Sequence, residues 1–467
     1  MPIDARQTAL SVLNQLEQGR HTLDRLWEER LGVESDAPKM AKRDMALVYV
    51  LVYGVLRWRN RLDQIIAHFS NTPLRKIRPR VLNVLRLALF QIIYLDRIPV
   101  SAAVNCAVNQ VKRPKSVWIG RFVNGVLRAA STGYTQTPFP DYKKNPVDAL
   151  AARKSFPRWM VKRWLKRFGL NQTVALCDAI NTIPPITVRF NSLLTTRQKL
   201  MQALQDEAQE IQITHYSSYG ISLEHPRRSV PEMKAFKSGW FQVQDEAAQL
   251  SALLLNPQPG ETVLDACAGL GGKTGHIAAL MQNRGVIVAT DYNKAKLRKL
   301  EDEMARLQIS IVTSHFHNLA KPWKTAATHR AKMQFDRILL DAPCSGLGVL
   351  RRNPDAKWRA KPDWKHYQNR QLRFLEHVAQ ALKPGGVLVY TVCSMEPEEN
   401  EAVIEKFLKR KPEFYCEKKP DGPTIELPDS VRKLVDQNGY LRTFPHHHNM
   451  DGFFAVRLMK GVSQDQP

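Results

Sequence analysis

Two cysteines occupy positions where an open α/β sheet builds its chemistry. Residues 335–340 read as a buried strand leading into Asp341-Ala342-Pro343-Cys344-Ser345-Gly346, and residues 387–390 as another leading into Thr391-Val392-Cys393-Ser394. Sites in such sheets form just beyond the carboxyl ends of the strands. A lone cysteine is usually an inert buried residue. Two thiols placed alike, with Asp341 and the lysine of a glycine-rich loop, Lys273, instead make a set suited to nucleophilic attack and proton transfer. The run His446-His447-His448 makes no metal site, because adjacent side chains do not converge on one ion and no carboxylate or cysteine cluster accompanies them. Glu398 and Glu399, after Pro397, read as acids that favour a helix N-terminus.

The glycine-rich loop indicates a ligand. Residues 262–265 read as a strand ending in Ala266-Cys267-Ala268-Gly269-Leu270-Gly271-Gly272-Lys273-Thr274, which opens a helix. Glycines there let backbone approach a ligand at a helix N-terminus. A nucleoside-triphosphate loop would need glycine five residues before Gly272, where Cys267 stands. The dinucleotide pattern fails as well, since its third glycine is replaced by Thr274. A second strand follows at 285–290 and ends in Asp291, an acid suited to a ribose hydroxyl pair or, more plainly, to capping the next helix. A nucleoside-bearing cofactor without pyrophosphate fits this pattern, and S-adenosylmethionine is the candidate.

The surrounding elements divide the chain. Its 467 residues exceed one ordinary core, and 43% hydrophobic and 24% charged residues exclude a disordered or fibrous protein. Residues 5–130 repeat apolar positions at helical spacing, with turn signals at Asn71-Thr72-Pro73, Ile98-Pro99 and Arg113-Pro114-Lys115, so a bundle of five to seven helices is expected. A polar, proline-containing stretch at 131–150 reads as a linker. Residues 151–170 then carry seven Lys/Arg and no acid on one amphipathic helical pattern with Phe156, Trp159, Trp164 and Phe168. A small α/β module follows from Pro184, and strand–helix alternation after Gly239 predicts a doubly wound sheet. The expected boundaries are 1–140, 141–238 and 239–462.

Charge is unevenly spread. Lys and Arg total 69 against 44 Asp and Glu, a net +25, and residues 1–170 hold 30 of the bases and only 12 of the acids. That excess favours a polyanionic partner, nucleic acid ahead of an acidic membrane surface. No stretch reads as a membrane span or an apolar signal core, and the six cysteines lack C-x-x-C spacing, which together suit a cytoplasmic protein without metal.

The segments D-A-C-A-G-L-G-G-K-T, D-A-P-C-S-G, R-R-N-P-D-A-K-W and V-C-S-M-E-P-E-E-N-E, with D-G-F-F near the end, resemble the RNA cytosine-5 methyltransferases of the Nop/Sun type. The helical N-terminal part is similar to the NusB-like domain of the subgroup acting on bacterial small-subunit ribosomal RNA. This resemblance implies an all-α NusB-like RNA-binding domain, a small α+β adaptor and a Rossmann-like class I methyltransferase domain. It implies S-adenosylmethionine as cofactor and one cytosine of 16S ribosomal RNA as target; no membrane or metal partner is expected, and the chain is expected to act as a monomer. By the family pattern Cys393 attacks C6 of the base, Cys344 assists product release, Asp341 holds or protonates N3, and Lys273 stabilises charge. Cofactor contacts carry over to Cys267, Ala268, Gly269, Leu270, Gly271, Gly272 and Lys273, to Asp291 on ribose, to Asn318 on adenine, and to Asp341. Three positions depart from the family pattern: Gly269-Leu270 replaces alanine-proline, Asn318 replaces an aspartate, and Val392 replaces the threonine before the nucleophile. Arg351-Arg352 and Lys357-Trp358 are candidates to meet phosphate and a base. Two other readings stand beside this one: a transfer-RNA cytosine-5 methyltransferase, and a non-catalytic RNA-binding factor in transcription or ribosome assembly.

Overall fold

The computed structural model describes residues 4–19, 22–31, 40–112, 117–322, 333–418 and 427–462; the turn expected at Arg113-Pro114-Lys115 lies outside them. The chain forms two compact units, Met1–Thr182 with Leu350–Lys361, and Ile183–Val349 with Pro362–Pro467. The first is helical: α1 (Ala5–Glu17), α2 (Leu23–Leu31), α3 (Lys42–Phe69), α4 (Pro79–Tyr94), α5 (Val100–Val111), α6 (Val117–Gly133), α7 (Pro146–Arg153) and α8 (Arg158–Asn181). Asp4 caps α1 by accepting from the Arg6 amide at 2.9 Å. Pro79 starts α4, while Pro99 and Pro157 sit just before α5 and α8, positions that tolerate a residue without an amide proton.

The core of this unit runs along α1, α3, α4, α5 and α6, through residues such as Leu10, Leu51, Val55, Leu85, Leu89 and Leu127. Gly54 of α3 lets α3 and α4 approach closely. A Cβ there would stand 1.9 Å from the Phe90 ring of α4. The expected single basic helix over 151–170 is broken, because Ser155 takes a φ of 61° and Pro157 cannot continue α7. Of its four aromatic residues, Phe156 and Trp164 are fully buried and meet edge to face, their centroids 5.4 Å apart, while Trp159 and Phe168 are partly buried.

The segment Leu350–Lys361 belongs to this helical unit although its sequence neighbours lie in the other. Its side chains correct the expectation of RNA contacts at Arg351 and Lys357, which are 2% and 0% exposed. The Lys357 ammonium nitrogen donates to Asn181 Oδ1 at 2.7 Å and to the carbonyls of Arg57 and Ser155 at 3.3 and 3.4 Å. It also lies 3.8 Å from the Phe156 ring centroid. Burial, then the like charge of Arg57, pushes the Lys357 pKa well below the usual amine range. Arg57 donates to the Arg351 carbonyl at 2.7 Å, and Trp358 Nε1 to the Leu56 carbonyl at 2.6 Å.

The second unit holds two sheets. β1 (Ile186–Phe190), α9 (Arg197–Leu204), β2 (Ala208–Ile213), β3 (Gly220–Pro226), α10 (Lys234–Lys237) and β4 (Phe241–Val243) form the small module, with antiparallel strands in the order β2-β3-β1-β4. Then come α11 (Glu246–Leu255), β5 (Thr262–Asp265), α12 (Gly272–Leu280), β6 (Val286–Asp291), α13 (Lys294–Arg306), β7 (Val312–Phe316) and β8 (Phe335–Asp341). The chain finishes through α14 (Trp364–Ala379), β9 (Leu382–Val392), α15 (Glu401–Arg410), β10 (Phe414–Cys416), α16 (Asp429–Arg432), β11 (Tyr440–Thr443), α17 (Pro445–His448) and β12 (Phe453–Lys460). The large sheet has the order β10-β12-β9-β8-β5-β6-β7, with β11 paired to β12. β7 through β9 in that order are parallel, and β12 runs antiparallel to β9. The expected helical domain, small α+β module and Rossmann-like sheet are therefore all present.

The Gly54 contact makes a stability test. Replacing Gly54 with Ala forces a methyl into the Phe90 ring and is expected to destabilise the helical unit by about 1–3 kcal/mol. Gly125→Ala on α6, where a Cβ meets nothing within 4 Å, is expected to stabilise it by about 0.5–1 kcal/mol. Urea unfolding of both variants checks the sign and the size.

Candidate active site

Parallel strands end at a common edge, and this edge collects the residues that the sequence singled out. The loop Cys267–Lys273 follows β5, Asp291 ends β6, Asn318 lies two residues past β7, Asp341 ends β8 and Cys393 follows β9. Strand order reverses between β5 and β8, since the chain runs outward through β6 and β7 before returning. A crevice opens at such a switch point. Lys273 Nζ and Asp341 Oδ2 face each other there at 2.5 Å.

The glycine loop is shaped by its backbone. Gly269 and Gly271 have φ of 58° and 85°, a region that favours glycine. Glycine is also required at 271 by space, because a Cβ would come within 2.9 Å of Leu300. A Cβ at Gly269 or Gly272 would meet nothing within 4 Å, so open space lies before the loop. Below it, Thr274 Oγ1 donates to Asp265 Oδ2 at 2.7 Å, and burial pushes the Asp265 carboxyl up to about 7. Burial likewise drives the Cys267 thiol well above its ordinary range. That leaves Cys267 as an inert side chain in the loop.

The acid after β6 is tied to the same loop. One Asp291 oxygen accepts from the Gly269 amide at 3.1 Å and the other from the Asn293 amide at 2.8 Å. Asn293, not Asp291, caps α13, accepting from the amides of Ala295 and Lys296. The helix-capping reading of Asp291 is thereby displaced. His317 donates its amide to the Asp291 carbonyl at 3.1 Å, which brings the exposed Asn318 to the same strand end. Asn318 Oδ1 accepts from the Ala320 amide at 2.9 Å, an ordinary turn contact.

The two thiols meet. Cys344 Sγ and Cys393 Sγ stand 3.3 Å apart, and both cysteines are unbridged. The contact with Cys393, reinforced by burial, holds the Cys344 thiol well above its ordinary pKa. Thr391 Oγ1 donates to Asp341 Oδ1 at 3.1 Å, so the hydroxyl absent at Val392 is supplied one residue earlier. Burial opposes the charge on Lys273, yet the Asp341 carboxylate outweighs it and raises the ammonium pKa. Lys273 also lies 5.8 Å from the ring centroid of Phe453, in the D-G-F-F segment. That segment locks the cysteine loops: Gly348 donates to the Cys393 carbonyl at 3.0 Å, and Gly452 to the Gly348 carbonyl at 2.9 Å. A Cβ on Gly348 would fall 1.8 Å from the Gly452 oxygen.

One residue of this site was misread from sequence. Glu399 does not open a helix; it is fully buried and joins the two cysteine loops. Its carboxylate accepts from the Ser345 amide at 2.8 Å and from the hydroxyls of Ser345 and Ser394, each at 2.5 Å. Gln371 Nε2 adds a fourth donor at 3.2 Å. The sequence signal was the serine after each cysteine, which pairs the loops chemically. Among the described residues no group of His, Cys, Asp and Glu could hold a metal ion, and His448 Nδ1 instead accepts from the Phe444 amide at 2.9 Å.

This geometry can be set beside known proteins. Residues 252–459 match the family model of 16S rRNA methyltransferase RsmB/F, residues 3–132 the NusB family, and residues 156–230 the ferredoxin-like domain of RsmF/B-like methyltransferases. A probable ribosomal RNA small subunit methyltransferase B from Bacillus subtilis is 35% identical over 458 residues, covering 97% of this chain and 98% of that protein. The chain belongs to this family. By that membership it is a ribosomal RNA methyltransferase. A ribosomal RNA small subunit methyltransferase B from Pseudomonas syringae is 33% identical, covering 92% of each chain. Among solved structures, a methyltransferase homolog protein from Pyrococcus horikoshii is 30% identical with a TM-score of 0.54, covering 66% of this chain and 97% of that one. NSun6 from the same organism, solved with SFG, shares the fold at 23% identity and a TM-score of 0.56, covering 66% and 99%.

Glu399→Gln tests the strap between the loops. A neutral amide keeps the size but loses charge-assisted acceptance from two hydroxyls, so a loss of about 2–4 kcal/mol in stability is expected. Thermal unfolding, with Glu398→Gln as the comparison, measures it.

Proposed function

We propose that the chain transfers a methyl group from S-adenosylmethionine to C5 of one cytosine in 16S ribosomal RNA through a covalent adduct to Cys393, acting as a cytoplasmic monomer. The observation that carries this reading is the 3.3 Å approach of Cys344 and Cys393 beside the Lys273–Asp341 pair, in a chain of ribosomal RNA methyltransferase lineage. One thiol beside a carboxylate would serve many reactions; two in contact suit addition and elimination at the same base.

The residues fit the cofactor. Open space before Gly269 and Gly272, the Asp291 carboxylate at the neighbouring strand end and the absence of a phosphate-binding glycine at 267 suit a nucleoside with an amino-acid tail. Cys267, Ala268, Gly269, Leu270, Gly271, Gly272 and Lys273 would line it, with Asp291 on ribose, Asn318 at the adenine and Asp341 near the methionine end. When bound, it supplies an electrophilic methyl on a sulfonium.

The chain's own residues do the rest. Cytosine C5 is a weak nucleophile, and addition of the Cys393 thiolate to C6 makes C5 an enamine carbon able to form the new C–C bond. Asp341 holds or protonates N3 as electron density moves into the ring, with Lys273 and Thr391 fixing its two oxygens. Loss of the C5 proton to a base then restores the double bond and expels the Cys393 thiolate. Cys344, whose thiol pKa is raised by its contact with Cys393 and by burial, would assist that release. The target base must leave its stack to reach Cys393, which favours an exposed nucleotide of a structured RNA.

Cys393→Ala is expected to reduce methyl transfer to background, whereas Cys344→Ala is expected to accumulate a covalent RNA adduct visible as a slower band in denaturing gels. Turnover by the Cys393 variant would sink the nucleophile assignment. Bisulfite sequencing of ribosomal and transfer RNA from cells with and without the gene identifies the base and separates the two RNA classes.

A further inference from the structure

The helical unit contains a cavity of about 1160 Å³ that the catalytic chemistry does not use. Its walls come from α1, α3, the start of α4 with the turn before it, and the inserted segment, which contributes Asp355, Trp358, Arg359 and Ala360. Small-molecule pockets are about 300–1,000 Å³ and mainly apolar. This one is larger and has five guanidinium groups, those of Arg59, Arg75, Arg80, Arg86 and Arg359, against the carboxylates of Glu17 and Asp355.

The ion pairs leave that imbalance standing. Arg86 is fully engaged, with Asp63 at 2.7 and 2.8 Å and Glu17 at 2.6 Å. Glu17 is shared with Arg59 at 3.2 Å, so one carboxylate serves two guanidinium groups. Burial, then the like charge of Arg86, lowers the Arg59 pKa against the opposing pull of Glu17 and Asp63. Arg359 is half exposed and paired with Asp355 at 2.7 Å. At the mouth, Arg75 and Arg80 are exposed, and among the described residues no carboxylate is paired with either. Arg59 also stands 5.3 Å from the Trp358 ring centroid, so a cation and an aromatic face adjoin within the cavity.

We infer that this cavity is a second RNA-binding site, which takes a single-stranded stretch of the substrate with phosphates on Arg75, Arg80 and Arg359 and a base against Trp358. Planar guanidinium forks match phosphate oxygens, and a cationic channel with an aromatic platform is how single strands are held without reading their sequence. The inference rests on the proposed action on ribosomal RNA and extends it. It assigns the grip to a place in the helical unit rather than to its charge as a whole. The wall residues Trp358 and Arg359 lie in the segment Leu350–Lys361, which follows the Cys344 loop in sequence.

The test uses the full-length protein and a 16S ribosomal RNA transcript, with affinity measured by fluorescence anisotropy across salt concentrations. Arg75→Gln combined with Arg80→Gln is expected to weaken binding about 10-fold and to lower the slope of log affinity against log salt by about 1 to 1.5, the value for two lost phosphate contacts. Arg121→Gln combined with Arg128→Gln, exposed on α6, is expected to change neither. Trp358→Leu is expected to reduce ultraviolet cross-linking of the RNA to residues 355–360. Equal weakening by both arginine pairs would mean that only total charge matters and overturns the site. No weakening by the Arg75 and Arg80 pair also overturns it, as when an acidic protein segment is the true occupant. Methyl transfer by the wild type is scored separately: RNA bound in the cavity but never methylated would count against the proposed reaction and leave the site standing.

Discussion

The candidate site depends on the register of one pair of parallel strands. β8 and β9 pair with Asp341 opposite Thr391, so the segments leaving the two strands start level and side by side. Cys344 lies three residues beyond one strand end and Cys393 one residue beyond the other. Register in a buried sheet is strongly specified, because a shift of one residue would exchange the two faces of the strand. The buried residues 387–392 of β9 and 338–340 of β8 therefore fix where the thiols fall. Glu399 then holds both loops through neutral hydroxyls and one amide, which leaves the thiols themselves free of that network.

Much of this was legible in the sequence because strand ends are. A short apolar run followed by a small-residue turn marks a strand and its exit, and the residues just past the exit are the ones a sheet presents. Cys344, Cys393, Asp341, Asp291 and the glycine loop were found in that way. Glu399, Lys357 and Arg351 were not. A charged residue reads as solvated until something far away in the chain buries it, and here the partners are distant: Ser345 for Glu399, Arg57 for the carbonyl of Arg351, Asn181 for Lys357. No local pattern encodes such contacts. The fragmentation of the basic stretch 151–170 was visible in Pro157 and was outweighed by periodicity.

The positive charge of the helical unit does two kinds of work. Part is internal. Arg86 with Glu17 and Asp63 knits α1, α3 and α4, and Arg57 and Lys357 cap carbonyls in the interior. Such groups are costly to bury, and Lys357 meets that cost by lowering its pKa while still donating hydrogen bonds. The remainder lies at the surface, where it raises the local potential for an anion. Counting residues merges these two populations; burial separates them.

The insertion of Leu350–Lys361 into the helical unit also bears on how the chain is made. Synthesis proceeds from the N-terminus, and domains usually fold in that order. Here the first unit lacks one of its pieces until Ile183–Val349 has been translated. At about 5–20 residues per second, that stretch occupies on the order of 10–30 s. Until Lys361 has emerged, the carbonyls of Leu56, Arg57 and Ser155 and the Asn181 side chain wait without their donors from the insert. The helical unit is thus completed only at Lys361, with Pro362–Pro467 of the second unit still to come, and a nascent chain cannot present a complete helical unit before the loop carrying Cys344 has been made.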